Sequence, residues 1–360
     1  GTLVTDLSLN GNSTARPAQH TAWFIGEHPC DKHGKEIDQI RNAANQQTLA
    51  EGLVVDRMFS SKPADGYRDY YHKVSSYAAI IGHPAESLDQ SAMICTHRVR
   101  SSEADEDSPF AYPDTASTKA CIAATTNHLS GLKIAVVGLG GTGSYTLDLL
   151  AKCPVAEIHL FDGDFFQQHN AFRSPGAPEE AALHGCTKKV DWFAGIYLKM
   201  HSGIKAHSYY LHEDNRSALA QMDFVFLCID RNDARAELTN YLVDASIPFI
   251  DAGMGIDLDD KGQLGGILRV TTVVPGKHDH LNNRIPTSTG GEGGIYASNI
   301  QVADLNCLNA TMAVIKWKKT IGFYRDVEQE HHTTYTIDSN MLLSEECVQS
   351  SKAEECADQS

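Results

Sequence analysis

Lys133-Ile-Ala-Val-Val-Gly138-Leu-Gly140-Gly141-Thr-Gly143-Ser144-Tyr145-Thr-Leu-Asp-Leu-Leu150 passes from a β-branched apolar run, through closely spaced glycines, into a segment of helical spacing. In a strand–glycine turn–helix unit, backbone N–H groups come close to phosphate oxygens and the helix N-terminus adds partial positive charge. Further apolar runs follow at Glu157-Ile-His-Leu-Phe161, Asp223-Phe-Val-Phe-Leu-Cys-Ile229 and Ile247-Pro-Phe-Ile250, separated by helical stretches. The alternation predicts a doubly wound, Rossmann-like α/β fold whose parallel sheet is covered on both faces.

Asp162 ends the second run, close to the ~20-residue offset at which an acid meets ribose hydroxyls. That much fits a nicotinamide-dependent oxidoreductase equally well. The continuation Asp162-Gly-Asp164-Phe-Phe-Gln-Gln-His-Asn170-Ala-Phe-Arg173 adds a second acid, an amide and a cation, which suit ATP cleavage better than hydride transfer. Together, the glycine loop, the Asp-x-Asp, the Asn-x-x-Arg and the later elements resemble the ThiF, MoeB and ubiquitin-activating enzyme family from about Leu132 to Lys318. The resemblance implies ATP contacts from Gly138, Gly140, Gly141, Gly143, Asp162, Asp164 and Asn170, and magnesium at Asp164 and Asp230. Arg173 would offset charge as pyrophosphate leaves.

The family also has a lysine opening a helix, and Gly185-Cys-Thr-Lys188-Lys189-Val190 offers two candidates. Lys189 suits the downstream apolar spacing through Tyr197, Met200 and Ile204 better than Lys188 does. Asp230-Arg-Asn-Asp233-Ala-Arg235 resembles the family's Asp-x-x-x-x-Arg segment, placing Asp230 at the metal, with helix N-capping as a compatible alternative. Family members that pass the activated protein onward carry a cysteine in a loop before the last large helix, where this chain has Ile285-Pro-Thr287-Ser288-Thr289. Cys307, in the apolar run Ile295 to Trp317, reads as a buried small residue. Either the reaction stops at the acyl adenylate, or Ser288, with Thr287 and Thr289 as substitutes, accepts the acyl group with His278 or His280 as base.

Composition limits the remaining possibilities. The 360 residues carry 46 acidic against 30 basic side chains, a net charge of −16, which opposes nucleic-acid binding. The nine cysteines contain no C-x-x-C pair, so they read as reduced cytoplasmic thiols, and the family's structural zinc is not expected. No apolar stretch reaches ~18 residues, so no membrane span is expected. The chain opens at Gly1 on a strand-like segment, which suggests an N-terminal extension.

Residues 1–100 read as a smaller α+β module. A hairpin is expected from Leu3–Leu9 and Thr21–Gly26, and helices from Glu36 to Ala44 and from Tyr67 to Ile81, with Tyr67, Tyr70 and Tyr71 packed inward. His28, Cys30 and His33 supply three metal-type ligands without an evident fourth. An acidic linker at 101–115, an adenylation domain at 116–344 and a flexible tail at 345–360 complete the expected organisation. This layout resembles bacterial ThiF-domain proteins of ubiquitin-like modification systems, which implies a ubiquitin-like protein substrate, a conjugating enzyme partner and a homodimer; the position of the module before the activating domain suggests that it docks either the substrate protein or the conjugating enzyme. A nucleotide-binding scaffold without turnover is the remaining alternative.

Overall fold

The computed structural model describes residues 1–10, 13–50, 52–89, 91–92, 108–286 and 300–347. Thr287, Ser288 and Thr289 lie outside the described residues, as do residues 101–107 of the acidic linker. The chain divides into two compact units, Gly1–Val99 and Arg100–Ser360.

In the first unit, strands β1 (Thr2–Val4), β2 (Thr21–Ile25), β3 (Arg41–Ala43) and β4 (Arg57–Ser60) form an antiparallel sheet in the order β1-β2-β4-β3. The β1–β2 pairing pairs the two segments of the expected hairpin, with Leu3 opposite Phe24. The helix expected from Glu36 to Ala44 does not form. Ile37 and Ile40 are buried around a short 3₁₀ turn, Asp38–Ile40, and Arg41–Ala43 joins the sheet against β4. Two apolar residues three apart serve either arrangement, and a segment this short cannot sustain a helix without tertiary support.

Helix α1 (Tyr70–Leu88) starts later than its apolar spacing suggests. The Asp69 carboxylate caps it by accepting the His72 N–H at 2.6 Å. Tyr67 and Tyr70 are buried as expected, but Tyr71 is 84% exposed because it lies off the face carrying Lys73 and Tyr77. His28 is buried in this unit, its Nε2 3.1 Å from the Ile37 carbonyl and its ring edge-on to Phe59.

The second unit holds β5 (Lys133–Val137), α2 (Gly141–Leu150), β6 (Glu157–Phe161), α3 (Lys189–Tyr197) and β7 (Ile204–His207). They are followed by β8 (Phe224–Leu227), α4 (Asn232–Asp244), β9 (Phe249–Leu258), β10 (Leu264–Val273), α5 (Ala303–Thr320), β11 (His332–Thr336) and β12 (Met341–Glu345). The eight-stranded sheet runs β7-β6-β5-β8-β9-β10-β11-β12. Its first five strands are parallel, while β10, β11 and β12 join antiparallel, so the sheet is mixed and not wholly parallel as expected. β9 runs well past the predicted Ile247–Ile250 because β10 folds back on it through ten paired positions. The β5 and β8 runs are buried on both faces, as central parallel strands require.

One face of this sheet packs Leu147, Leu150 and Phe193 from the helices with Ala313 and Trp317 of α5. The other face buries Leu238 and Leu242 of α4. Cys307 on α5 is only partly buried. Order also extends past residue 344, since Arg284 binds Glu345 at 3.1 Å and Glu346 at 2.9 Å. No described helix is long and apolar enough to cross a membrane.

Candidate active site

Val137 at the end of β5 pairs with Phe161 of β6 on one side and Leu227 of β8 on the other. The chain builds β6 and β7 outward from β5, then returns to place β8 on the opposite edge. Ligands of open α/β sheets bind in the crevice at such a reversal. A cavity of about 990 Å³ opens there, lined by Gly138, Gly140, Gly141, Asp162, Asp164, Asn170, Arg173, Lys189 and Asp230.

The glycines do different jobs. Gly138 has φ 87°, and a Cβ on it would lie 2.6 Å from the Cys228 carbonyl oxygen. Gly143 is absent from the cavity lining; a Cβ there would meet the Gly138 oxygen at 1.8 Å, so this glycine lets α2 pack under the loop. Gly143 thus has a packing role in the loop. A Cβ on Gly141 would overlap the Asn306 side chain, whereas Gly140 has nothing within 4 Å and leaves the start of α2 open to the cavity. The first-turn N–H groups of α2 have no partner within the helix.

Asp162 is 6% exposed and braces the loop. Its Oδ2 accepts the Leu139 N–H at 2.7 Å and its Oδ1 accepts the Asp164 N–H at 2.8 Å. Each oxygen retains further acceptor capacity for a ligand hydroxyl. Lys189 Nζ lies 2.7 Å from Asp164 Oδ2 and 3.6 Å from Asp162 Oδ2. Lys188 instead donates to the Gly163 carbonyl and sits 3.8 Å from the Phe165 ring centre. Burial raises the Asp164 pKa, but hydrogen bonds from Lys189 and Tyr210 outweigh it and hold the carboxyl below its ordinary range. The same bond to Asp164, with burial, pushes the Tyr210 hydroxyl up to about 12.

Asn170 is buried and closes its own short helix, Gln168–Ala171, by accepting the Gln167 N–H at 2.9 Å. That turn delivers Arg173 to the cavity, where its buried Nε has no hydrogen-bond partner among the described residues. Asp230 follows β8 and is exposed to the cavity. It does not cap α4, because Arg231 holds the N-cap position.

Asp164 and Asp230 thus present two carboxylates to one space. Among the described residues no group of three or more His, Cys, Asp or Glu side chains gathers to hold a metal. Two acids without a closed cage suit a hard cation that arrives with phosphate oxygens and keeps its waters.

His280, one of the two expected bases, is 2% exposed with Nε2 at 2.9 Å from the Thr272 carbonyl; burial lowers its pKa. It is packed against β10, while His278 is exposed. Sequence reading missed Tyr210, Arg269 and Asn306. Asn306 on α5 accepts the Thr142 hydroxyl at 3.2 Å and reaches the Arg173 carbonyl at 3.5 Å. The available signal was Asn306 and Asn309, two amides on one face of an apolar helix, both fully buried.

Residues 115–353 match the ThiF family, and residues 1–115 match a domain of unknown function, DUF6791. Ubiquitin-like modifier-activating enzyme 5 of Drosophila virilis is 26% identical over 136 residues, 34% of this chain and 33% of that protein. Its Drosophila melanogaster counterpart is 24% identical over 134 residues with the same coverage. The chain therefore spans about a third of the length of these relatives. E. coli MccB, in a crystal structure with selenomethionine MccA, is 19% identical with TM-score 0.49, covering 64% of this chain and 67% of that one. PaaA is 18% identical with TM-score 0.46, covering 62% and 75%. The family match runs through more than half the chain, including the glycine loop, Asp162, Asp164 and Asp230, and the chain belongs to the ThiF family.

Proposed function

We propose that this protein binds ATP at the glycine loop and transfers AMP to the C-terminal carboxylate of a ubiquitin-like protein. A carboxylate oxygen attacks the α-phosphorus, the bond to the bridging oxygen breaks, and pyrophosphate departs, leaving an acyl adenylate. The observation that carries this reading is the convergence on one cavity of a helix N-terminus, Arg173, Lys189 and two further acids, Asp164 and Asp230. A nicotinamide site would leave the last four without a task.

In this reading the first turn of α2 binds phosphate oxygens, and Arg173 stabilises charge developing on the departing pyrophosphate. Lys189 keeps Asp164 ionised and adds positive charge at the phosphates. Asp164 and Asp230 would hold magnesium, which supplies charge neutralisation at the phosphates. The acyl group then passes to a nucleophile on a conjugating enzyme, directly or by way of an oxyester on Ser288. The family relationship and the curated relatives' names support a ubiquitin-like substrate, and a homodimer and a cytoplasmic setting belong to the same proposal.

ATP–pyrophosphate exchange with a panel of ubiquitin-like proteins tests it. Exchange that needs a free C-terminus and disappears in Arg173→Ala and Asp230→Ala is the expected result. ATP binding without exchange for any member of a broad panel would favour a scaffold, and nicotinamide cofactor binding in place of ATP would sink the adenylation reading.

A further inference from the structure

Part of the cavity lining comes from β9 and β10, through Ala252, Gly253, Met254 and Arg269. Here Arg235 of α4, Asp251 of β9 and Arg269 of β10 are 5%, 0% and 3% exposed. Arg235 Nε donates to Asp251 Oδ1 at 3.0 Å, and Arg269 Nη2 donates to Asp251 Oδ2 at 2.6 Å. Two guanidiniums share one carboxylate. Their other hydrogen-bond partners among the described residues are uncharged: Asn232 and the Ile229 carbonyl for Arg235, the Thr271 hydroxyl at 3.0 Å and the Arg284 carbonyl at 3.1 Å for Arg269. Arg269 Nε has no partner among the described residues.

The set therefore carries a surplus positive charge, out of water and on the cavity lining. Such a charge is costly until an anion compensates it. The strand is bare where the guanidinium crosses it: Gly253 pairs with Arg269, and a Cβ there would lie 2.5 Å from Nη2. The groups suited to ATP phosphates, namely the glycine loop, Arg173 and Lys189, come from other elements, those following β5 and β6. We propose that the surplus charge of Arg235, Asp251 and Arg269 holds the terminal carboxylate of the protein substrate, with Arg269 as the residue that supplies it. This rests on the adenylation reading and adds a carboxylate site to it.

The test uses the full chain loaded with the α,β-methylene analogue of ATP, and a tetrapeptide ending in Gly-Gly, as free acid and as C-terminal amide. Calorimetry should give at least about tenfold tighter binding of the acid. Arg269→Met should erase that preference while leaving affinity for the ATP analogue within about twofold, and Arg269→Lys should keep most of it. Arg269→Met leaves Asp251 and Arg235 as a neutral pair, so the variant should stay folded, which a cooperative melt checks; Arg269→Gln, which keeps a donor for the neighbouring acceptors, is the second neutral variant.

Equal binding of acid and amide by wild type overturns the proposal. So does an Arg269→Met protein that keeps the preference but loses nucleotide affinity, since the charge then serves an ATP phosphate. A wild-type protein that binds no ATP analogue sinks the adenylation reading, whereas equal binding of acid and amide by nucleotide-loaded protein overturns this proposal alone.

Discussion

The two glycines flanking Gly141 differ in what a methyl group would meet, and this makes them separable by experiment. Gly143→Ala drives a Cβ into the Gly138 carbonyl at 1.8 Å, so α2 has to shift. Overpacking of this kind costs about 1–3 kcal/mol, readable as a lowered urea midpoint. Gly140→Ala meets nothing within 4 Å and should leave stability within about 0.5 kcal/mol, yet weaken ATP binding because the methyl group intrudes where phosphate approaches. Lys189→Met removes the cation from Asp164 and Asp162, and the loss of a charge-assisted interaction of about 1.5–3 kcal/mol should lower ATP affinity roughly tenfold to a hundredfold in an equilibrium titration. The burial of Lys189 was legible from apolar spacing, since it lies two helical turns before Tyr197 and both are buried. The separate task of Gly143 was not, because it depends on how closely a helix approaches a loop.

Among the elements, α5 locks the site although it supplies none of the expected site residues. Asn306→Ala leaves the Thr142 hydroxyl and the Arg173 carbonyl without their amide, and should cost about 1–3 kcal/mol in denaturant unfolding as well as weakening ATP binding. A stability loss with ATP affinity unchanged would show that α5 supports the sheet alone. In the first unit, α1 is tied to the segment after β1 by Lys73, whose side chain is fully buried with Nζ 2.6 Å from Asp6. Asp6 remains partly hydrated, so Lys73→Ala should cost about 2–3 kcal/mol, less than a fully buried pair. Faster amide hydrogen exchange along α1 in the intact chain would report it. The strands β5, β6 and β8 were plain in the sequence because most of their positions are apolar, with β5 and β8 buried almost throughout. The Glu36–Ala44 segment was misread because its apolar pair fits a turn and a helix alike.

At the scale of the whole molecule, pH should act through buried and half-buried histidines. Burial, the first cause in each case, lowers the pKa of His201, His207, His280, His331 and His332, the last to about 4 from 6.5. The unfolded chain then binds more protons than the folded one below about pH 6.5, so stability is full above that pH and is lost as pH falls toward about 4. His332 alone contributes about 3 kcal/mol to this loss, and His332→Gln should flatten the decline of the melting temperature between pH 7 and pH 5. A melting temperature independent of pH across that range would contradict the lowered pKa of these rings. By itself the sequence determined the strand–loop–helix unit at Lys133–Leu150, the acids at 162, 164 and 230, and the α/β class, because each is written in consecutive residues whose period or spacing is local. Only the tertiary structure decided that the sheet ends in antiparallel strands, that Asn306 closes on the loop, and that Arg235 and Arg269 share Asp251. Those contacts join residues far apart in the chain, and their energies exist only once the strands between them have paired.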